Sequence, residues 1–408
     1  MTTDAVTSPS KDGIFRRGFG LKPEIQQDLA SDYYSSLVEE IRAADNRLLA
    51  DGLEIRLAKE FGFCYGVDKA VDFAYETRRK FPDRRIFLTA EIIHNPRVNR
   101  RLIEMGIEFL SGQYAGGARI EDIRPEDVVI LPAFGIAIDQ LEKLRSTGCI
   151  LVDTTCGSVV HVWKRVEKYA KEGFTSLIHG KYRHEETIAT ASYAYSGGEG
   201  AYIVVLDKAE AALVCDYIRG GGAPGDLPSR FADRVSPGFD FARDLARVGV
   251  ANQTTMLSSE SMEIAAMVRE AMIARHGADQ IDEHFRSFDT ICNATQERQD
   301  AVIEMIKTPP DLMIVIGGFN SSNTHHLCEI TSPHCPTFHI EDADCMISAS
   351  RIRHKPPESG SEPLETENWY PARRPLSVGV TAGASTPNRV VGEVIERLLS
   401  WGSAPPIL

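Results

Sequence analysis

The chain contains no apolar run near the ~18 residues that a membrane-spanning helix needs, and its polar start, MTTDAVTSPSKDG, lacks the apolar stretch of a secretory signal. Organellar transit peptides avoid acids, whereas Asp4, Asp12, Glu24 and Asp28 come early. A cytoplasmic protein without a membrane anchor is therefore expected. No dense Lys/Arg tract with interleaved aromatics occurs, and the net charge of -13 disfavours nucleic acid or an anionic membrane as partner. None of the eight cysteines forms a CxxC pair, and they are scattered from Cys64 to Cys345. In a reducing compartment that argues against a disulfide framework, and a structural zinc site with ligands paired in sequence has little support.

What the chain does have is length and apolar content. With 408 residues, 43% of them hydrophobic, it can bury a large core in two or three modules. Residues 1–50 read as a polar extension with one helix over IQQDLASDYYSSLVEEIRAADNRLLA and a GIFRRGFG segment of no evident class. Beyond it, β-rich apolar runs alternate with amphipathic helical patterns, the signature of βα units with parallel sheets. The expected fold is α/β, with modules at 51–155, 156–290 and 291–408 related by a pseudo-threefold axis and built on small parallel sheets.

The repeat shows in the turns that close the strands. The first unit of every round ends in a cysteine: Cys64 in EFGFCYGVDKAV, Cys156 in ILVDTTCGSVV and Cys292 in FDTICNATQERQ, each ahead of about fifteen residues of helical periodicity. The second unit ends in a polar loop carrying His94, then His184 and Glu186, then Ser321, Ser322 and Asn323. The third ends in PAFG, in NQTT with Thr254, and in VTAGAS with Ser385. In open parallel sheets ligands bind beyond the carboxyl ends of the strands, where helix N-termini present free N–H groups. Three such modules facing one axis would bring three thiols and three sets of polar loops to one cavity.

Any one of these cysteines taken alone is most simply a small buried side chain, and Cys149, Cys215, Cys328, Cys335 and Cys345 keep that reading. Threefold recurrence favours metal ligation for Cys64, Cys156 and Cys292. Soft thiolates suit iron-sulfur clusters, Zn or Cu(I). Three protein ligands on a [4Fe-4S] cluster would leave one iron open to substrate. Gly66 is expected to let the backbone turn close to such a group. The hydroxyl, amide and imidazole groups of the loops suit a phosphate or diphosphate, although each motif alone could be a helix cap or turn. Glu186 could be a favourable helix N-terminal acid or, in a closed cavity, a proton store.

In order along the chain, GFCYGVDKAV, AEIIHN, DTTC, HEET, NQTT, ICNATQERQ, NSSN and VTAGAS resemble the 4-hydroxy-3-methylbut-2-enyl diphosphate reductase (IspH/LytB) family over residues 53–400. The extension, PAFG and HEET are similar to its long cyanobacterial and plant-type branch. The resemblance implies three α/β modules around a central [4Fe-4S] cluster held by Cys64, Cys156 and Cys292. It implies diphosphate binding by His94, His184, Ser321, Ser322, Asn323 and Ser385. Thr254 would sit near the substrate hydroxyl, with Glu186 feeding protons through it. The implied reaction is reductive dehydroxylation to isopentenyl and dimethylallyl diphosphate, the last step of the methylerythritol phosphate route, with reduced ferredoxin or flavodoxin as electron donor.

The chain departs from the family at Phe134, where many bacterial members have a histidine: phenylalanine cannot donate to a phosphate, so either a neighbouring backbone N–H or another residue compensates, or diphosphate affinity differs. The segments 217–244 and 356–371 read as surface insertions. A non-catalytic iron-sulfur sensor or carrier and a zinc-dependent phosphate-ester hydrolase are the competing readings.

Overall fold

A computed structural model describes residues 10, 13–358 and 361–402. The first nine residues of the extension, residues 11–12 of its polar start and positions 359–360 of the second insertion lie outside the described residues, as does the C-terminal tail from 403. The chain forms two compact units, residues 1–116 with 293–408, and residues 117–292. The architecture is α/β with small parallel sheets, as the alternating pattern predicts.

The first unit is built on a five-stranded sheet in the order Thr337–Ile340, Leu312–Ile316, Leu376–Ala382, Leu53–Leu57, Arg47–Ala50. All neighbours are parallel except the last pair. LMIVI and the buried positions of LSVGVTA are almost wholly apolar because helices cover both faces of a parallel sheet. Ile314 aligns with Val380 and Val378 with Ile55 across the strands, and Val390, Val391, Val394 and Ile395 pack over them. We propose a three-module division in which one strand changes module. Leu53–Leu57, which leads to Cys64, is paired in the sheet of the last module rather than in that of the first. A shorter parallel pair, Ile86–Leu88 with Ile107–Phe109, leads to His94.

The second unit holds a four-stranded parallel sheet in the order Phe285–Ser287, Val248–Asn252, Thr175–His179, Ala201–Val205. Its core joins Leu177, Ile203, Val205, Val248 and Val250 to Ile218, Val268 and Met272 from the covering helices. A parallel pair, Val128–Leu131 with Ile150–Asp153, leads to Cys156.

Two local expectations are corrected and one unassigned segment finds its place. The extension carries two helices, Lys22–Tyr33 and Ser36–Ala43, because Tyr34 is extended and the Ser35 hydroxyl accepts from the Val38 N–H as an N-cap. The RLLA at its end is a strand, turned back on Leu53–Leu57 through Asp51 and Gly52, both at positive φ, the aspartate-glycine chemistry of a tight hairpin. The GIFRRGFG segment, unassigned from sequence, buries Ile14 and Phe19, and the Phe19 N–H donates to Glu76.

The segments expected as surface insertions are anchored in the fold. Residues 217–244 bury Leu227, Phe231 and Phe241 against the four-stranded sheet. Residues 356–371 contribute Leu364–Glu367, paired antiparallel with Arg351–His354, and bury Trp369.

Candidate functional site

Each cysteine of the recurring trio stands where a strand has ended and a helix begins. Cys64 and Cys156 are the N-caps of Tyr65–Lys80 and Gly157–Lys171, and Cys292 immediately precedes Asn293–Ile306. All three are partly exposed. Four of the other five are buried, and burial pushes all five thiols up, Cys215 to about 11 and Cys328 well above its ordinary value. Those five are packing residues with protonated thiols. The trio has what a sulfur ligand needs, access and the free N–H groups of a helix start.

The same kind of backbone bond recurs at all three. The Cys64 N–H donates to Ala384 O (3.1 Å), Cys156 N–H to Ala133 O (3.0 Å) and Cys292 N–H to Thr254 O (3.2 Å). Each acceptor is the second residue past a strand end, after Ala382, Leu131 and Asn252. The cysteine turns are therefore pinned to the VTAGAS, PAFG and NQTT loops in one register. Gly66 is not the turn glycine: it lies inside a helix, and the left-handed residue is Gly62 (φ +81). A side chain at Gly62 would also strike Asn388 Oδ1, at 2.8 Å.

The first unit holds Cys64, His94, Ser321, Ser322, Asn323 and Ser385. Asn95 caps Pro96–Glu104 through its side chain, which sets His94 just ahead of the helix. Ser321 caps Ser322–Thr331, accepting from Thr324 N–H (3.3 Å). The Ser385 hydroxyl donates to His94 O (3.1 Å), and Asn323 Oδ1 accepts from Ala384 N–H (2.9 Å). All five polar residues are buried, so they make one connected layer of donors with the Cys64 turn at its edge.

The second unit holds Cys156, His184, Glu186, Thr254 and Cys292. Glu186, 1% exposed, accepts from Thr254 N–H at 2.6 Å and from its hydroxyl at 3.0 Å. His184 Nδ1 accepts from Glu186 N–H (3.1 Å), which leaves the proton of the neutral ring on Nε2. The ring of Phe134 meets His184 edge-on at 5.3 Å. At the position where a histidine was expected, an aromatic ring instead braces a histidine.

Sequence reasoning missed Glu91, Asn320 and Arg298. Glu91, in AEIIHN, accepts from His94 Nδ1 (3.1 Å), Gln113 (2.8 Å) and Asn320 (3.1 Å). Burial raises its carboxyl, but those bonds outweigh it and hold the group below the ordinary carboxylate range. Arg298, in NATQERQ, is buried and donates to the carbonyls of Gly62 (2.7 Å) and Phe63 (3.3 Å), so it clamps the turn before Cys64. All three sit inside motifs already singled out, Asn320 as the first residue of NSSN. For Glu91 and Arg298, a charged residue within an otherwise apolar or cysteine-bearing motif was the available signal.

Residues 55–399 match the family described as LytB protein. The chain is 50% identical over 399 residues to the 4-hydroxy-3-methylbut-2-enyl diphosphate reductase of Thermosynechococcus vestitus, covering 98% of this chain and 97% of that one. It is 51% identical over 388 residues to the reductase of the same name from Gloeobacter violaceus, covering 94% and 91%. Among solved structures it resembles (E)-4-hydroxy-3-methyl-but-2-enyl diphosphate reductase, the terminal enzyme of the non-mevalonate pathway. That likeness has a TM-score of 0.51 at 27% identity, covering 85% of this chain and 99% of that one. The E-1-hydroxy-2-methyl-but-2-enyl-4-diphosphate reductase of Plasmodium falciparum shares the fold, with a TM-score of 0.59 at 20% identity, covering 86% and 88%.

Proposed function

The chain belongs to the LytB family, and from that premise we propose that it reduces 4-hydroxy-3-methylbut-2-enyl diphosphate to isopentenyl diphosphate and dimethylallyl diphosphate. It is an iron-sulfur oxidoreductase of isoprenoid biosynthesis, acting at the last step of the methylerythritol phosphate route. The reaction cleaves one C–O bond: two electrons and two protons enter, the hydroxyl leaves as water, and a C–H bond replaces it. Its small allylic diphosphate substrate requires a site with an anion-binding half and a proton-delivering half.

Cys64, Cys156 and Cys292 fit a [4Fe-4S] cluster, being three partly exposed thiols at helix starts held by the same backbone bond. When bound, the cluster supplies electrons one at a time and an iron without a protein ligand to polarise the C–O bond. Everything else falls to side chains. His94, Ser321, Ser322, Asn323 and Ser385 of the first unit and His184 of the second are the proposed ligands of the diphosphate through N–H and O–H donors; each is buried, where a bond counts for more than in water. His184 offers Nε2–H, and Phe134 holds its ring in place.

The observation that supports this reading most strongly is the Glu186–Thr254 pair. A carboxyl group with almost no exposure holds both the N–H and the hydroxyl of Thr254, and the carbonyl of the same threonine holds the Cys292 turn. A proton stored on Glu186 can pass through the Thr254 hydroxyl to a group lying against the cysteine turn, with no bulk water between.

Reduced ferredoxin or flavodoxin is the proposed donor and the cytoplasm the proposed location. No helix among the described residues is long and apolar enough to cross a membrane. The test is anaerobic purification of the full chain, followed by metal analysis and turnover with reduced ferredoxin. About four irons per chain with formation of both products is expected. Zinc without a brown chromophore, or an intact cluster with no product, would overturn the reading.

A further inference from the structure

Glu91 is a buried carboxylate, 6% exposed, with no lysine or arginine among the described residues that bond to it. Burying such a charge is costly, so its three donors must stabilise it, and two of them, His94 and Asn320, belong to the loops proposed for the anion. His94 Nδ1 and Asn320 Nδ2 lie 3.1 Å from the same oxygen, Oε2, while Gln113 Nε2 holds Oε1 at 2.8 Å. The fourth neighbour is Tyr114, whose hydroxyl is pushed up to about 12 by burial and by Glu91, and which stays neutral.

The geometry fixes the ring of His94. Its Nδ1 lies 3.1 Å from Glu91 Oε2 and 3.2 Å from Asn320 Nδ2, and that amide nitrogen is itself 3.1 Å from the same carboxylate oxygen, so the three groups close a triangle at Nδ1. His184 is held differently, with its Nδ1 accepting a backbone N–H.

Asn320 extends the effect. It immediately precedes Ser321, the cap of the helix bearing Ser322 and Asn323, so one carboxylate oxygen holds both the histidine and the start of the serine turn. The backbones are close as well: a side chain at Gly318 would lie 2.6 Å from His94 O. Ser385 closes the set by donating to that same carbonyl.

We propose that Glu91 is the positioning residue of the diphosphate site: together with Asn320 it fixes the orientation of the His94 ring through Nδ1, and it fixes the Ser321–Asn323 turn through Asn320. This rests on the reading of His94 and the serine turn as diphosphate ligands. Glu91 touches no reacting atom, so substrate affinity should depend on it and the chemical step should not.

The experiment compares wild type, Glu91→Gln, Glu91→Asp and Asn320→Ala as cluster-loaded holoenzymes. It measures KM, kcat and competitive inhibition by inorganic diphosphate. Glu91→Gln is expected to raise KM and the diphosphate inhibition constant about tenfold with kcat within about twofold. Glu91→Asp, which keeps the charge, should recover most of that affinity. Asn320 is exposed, so its loss should leave the fold intact. Asn320→Ala should raise KM about threefold, the loss of one ordinary hydrogen bond, and it carries the test if Glu91→Gln does not fold.

Glu91→Gln with wild-type affinity, or Asn320→Ala with wild-type KM, would overturn the proposal. So would a Glu91→Gln loss shared equally by kcat and KM and not recovered in Glu91→Asp, which is the mark of general damage. Wild type that is neither inhibited by diphosphate nor active would instead remove the underlying assignment of the site.

Discussion

Replacing Glu186 by Gln separates proton delivery from architecture. The carboxylate makes two bonds to Thr254, 2.6 Å to N–H and 3.0 Å to the hydroxyl. A glutamine can keep the first through its carbonyl oxygen, and its amide can donate to a Thr254 hydroxyl that has rotated to accept. Charge-assisted bonds exceed neutral ones by about 1 kcal/mol each, so the exchange removes roughly 2 kcal/mol of attraction. The amide is also cheaper than a carboxylate to hold in a buried position, and the two changes offset to within about 1 kcal/mol. The fold, the Cys292 turn and the cluster should therefore survive. A glutamine has no proton to give, and losing a positioned general acid lowers turnover by about 10²–10⁴-fold. The assay is anaerobic turnover with reduced ferredoxin, alongside iron content, visible absorbance and thermal melting on the same sample. Turnover within about fivefold of wild type at full iron content would refute the role of Glu186, since general-acid losses are far larger. Loss of the cluster would refute the claim that the residue is separable from the cysteine scaffold.

Cys156→Ser should abolish iron binding, whereas Cys328→Ser, at a buried thiol in the core, should keep the full complement of iron, read by metal analysis. Arg298→Met should strip the donor from the Gly62 and Phe63 carbonyls and cost about 1–3 kcal/mol, seen as a lower urea midpoint; an unchanged midpoint would show that the clamp is dispensable. Phe134→Ala removes the edge contact with His184, worth about 0.5–1.5 kcal/mol, so KM should rise about two- to tenfold with little change in kcat. His339 is held neutral: burial drives its ring from 6.5 to about 3. A histidine depressed on folding stabilises the fold above its unfolded value and loses that contribution as pH falls from 6.5 toward 3. Between pH 7 and 5.5 the loss is about 1 kcal/mol. Urea midpoints should show a decline over that interval that shrinks in His339→Gln, and an equal decline in the variant would contradict it.

Much of the layout was legible because its causes are local. Apolar runs of strand length, helical periodicity after each cysteine, and the serine and asparagine caps are set by residues a few positions apart. The trio Cys64, Cys156 and Cys292 could thus be separated from five other cysteines by order alone, and the structure adds that the remaining five thiols are pushed up by burial. The same local reading failed where two signals competed. The extension has helical composition throughout, yet Ser35 caps a new helix and RLLA is drawn into a strand because Leu53–Leu57 offers it an edge.

What the sequence determined by itself was therefore the identity and order of the groups: which cysteines recur, which loops carry donors, and which acid lies just beyond His184. The tertiary structure decided what each group touches. Leu376 pairs with Leu53, and Arg298 reaches back to Gly62, though each pair lies far apart along the chain. The bonds from Cys64, Cys156 and Cys292 to Ala384, Ala133 and Thr254 run between backbone atoms, which every residue possesses and no side chain advertises. The orientation of His94 belongs to the same class. A histidine three residues after a glutamate is only a spacing until the fold closes Nδ1, the Asn320 amide and the carboxylate into one triangle, and only then is the ring held in a single direction.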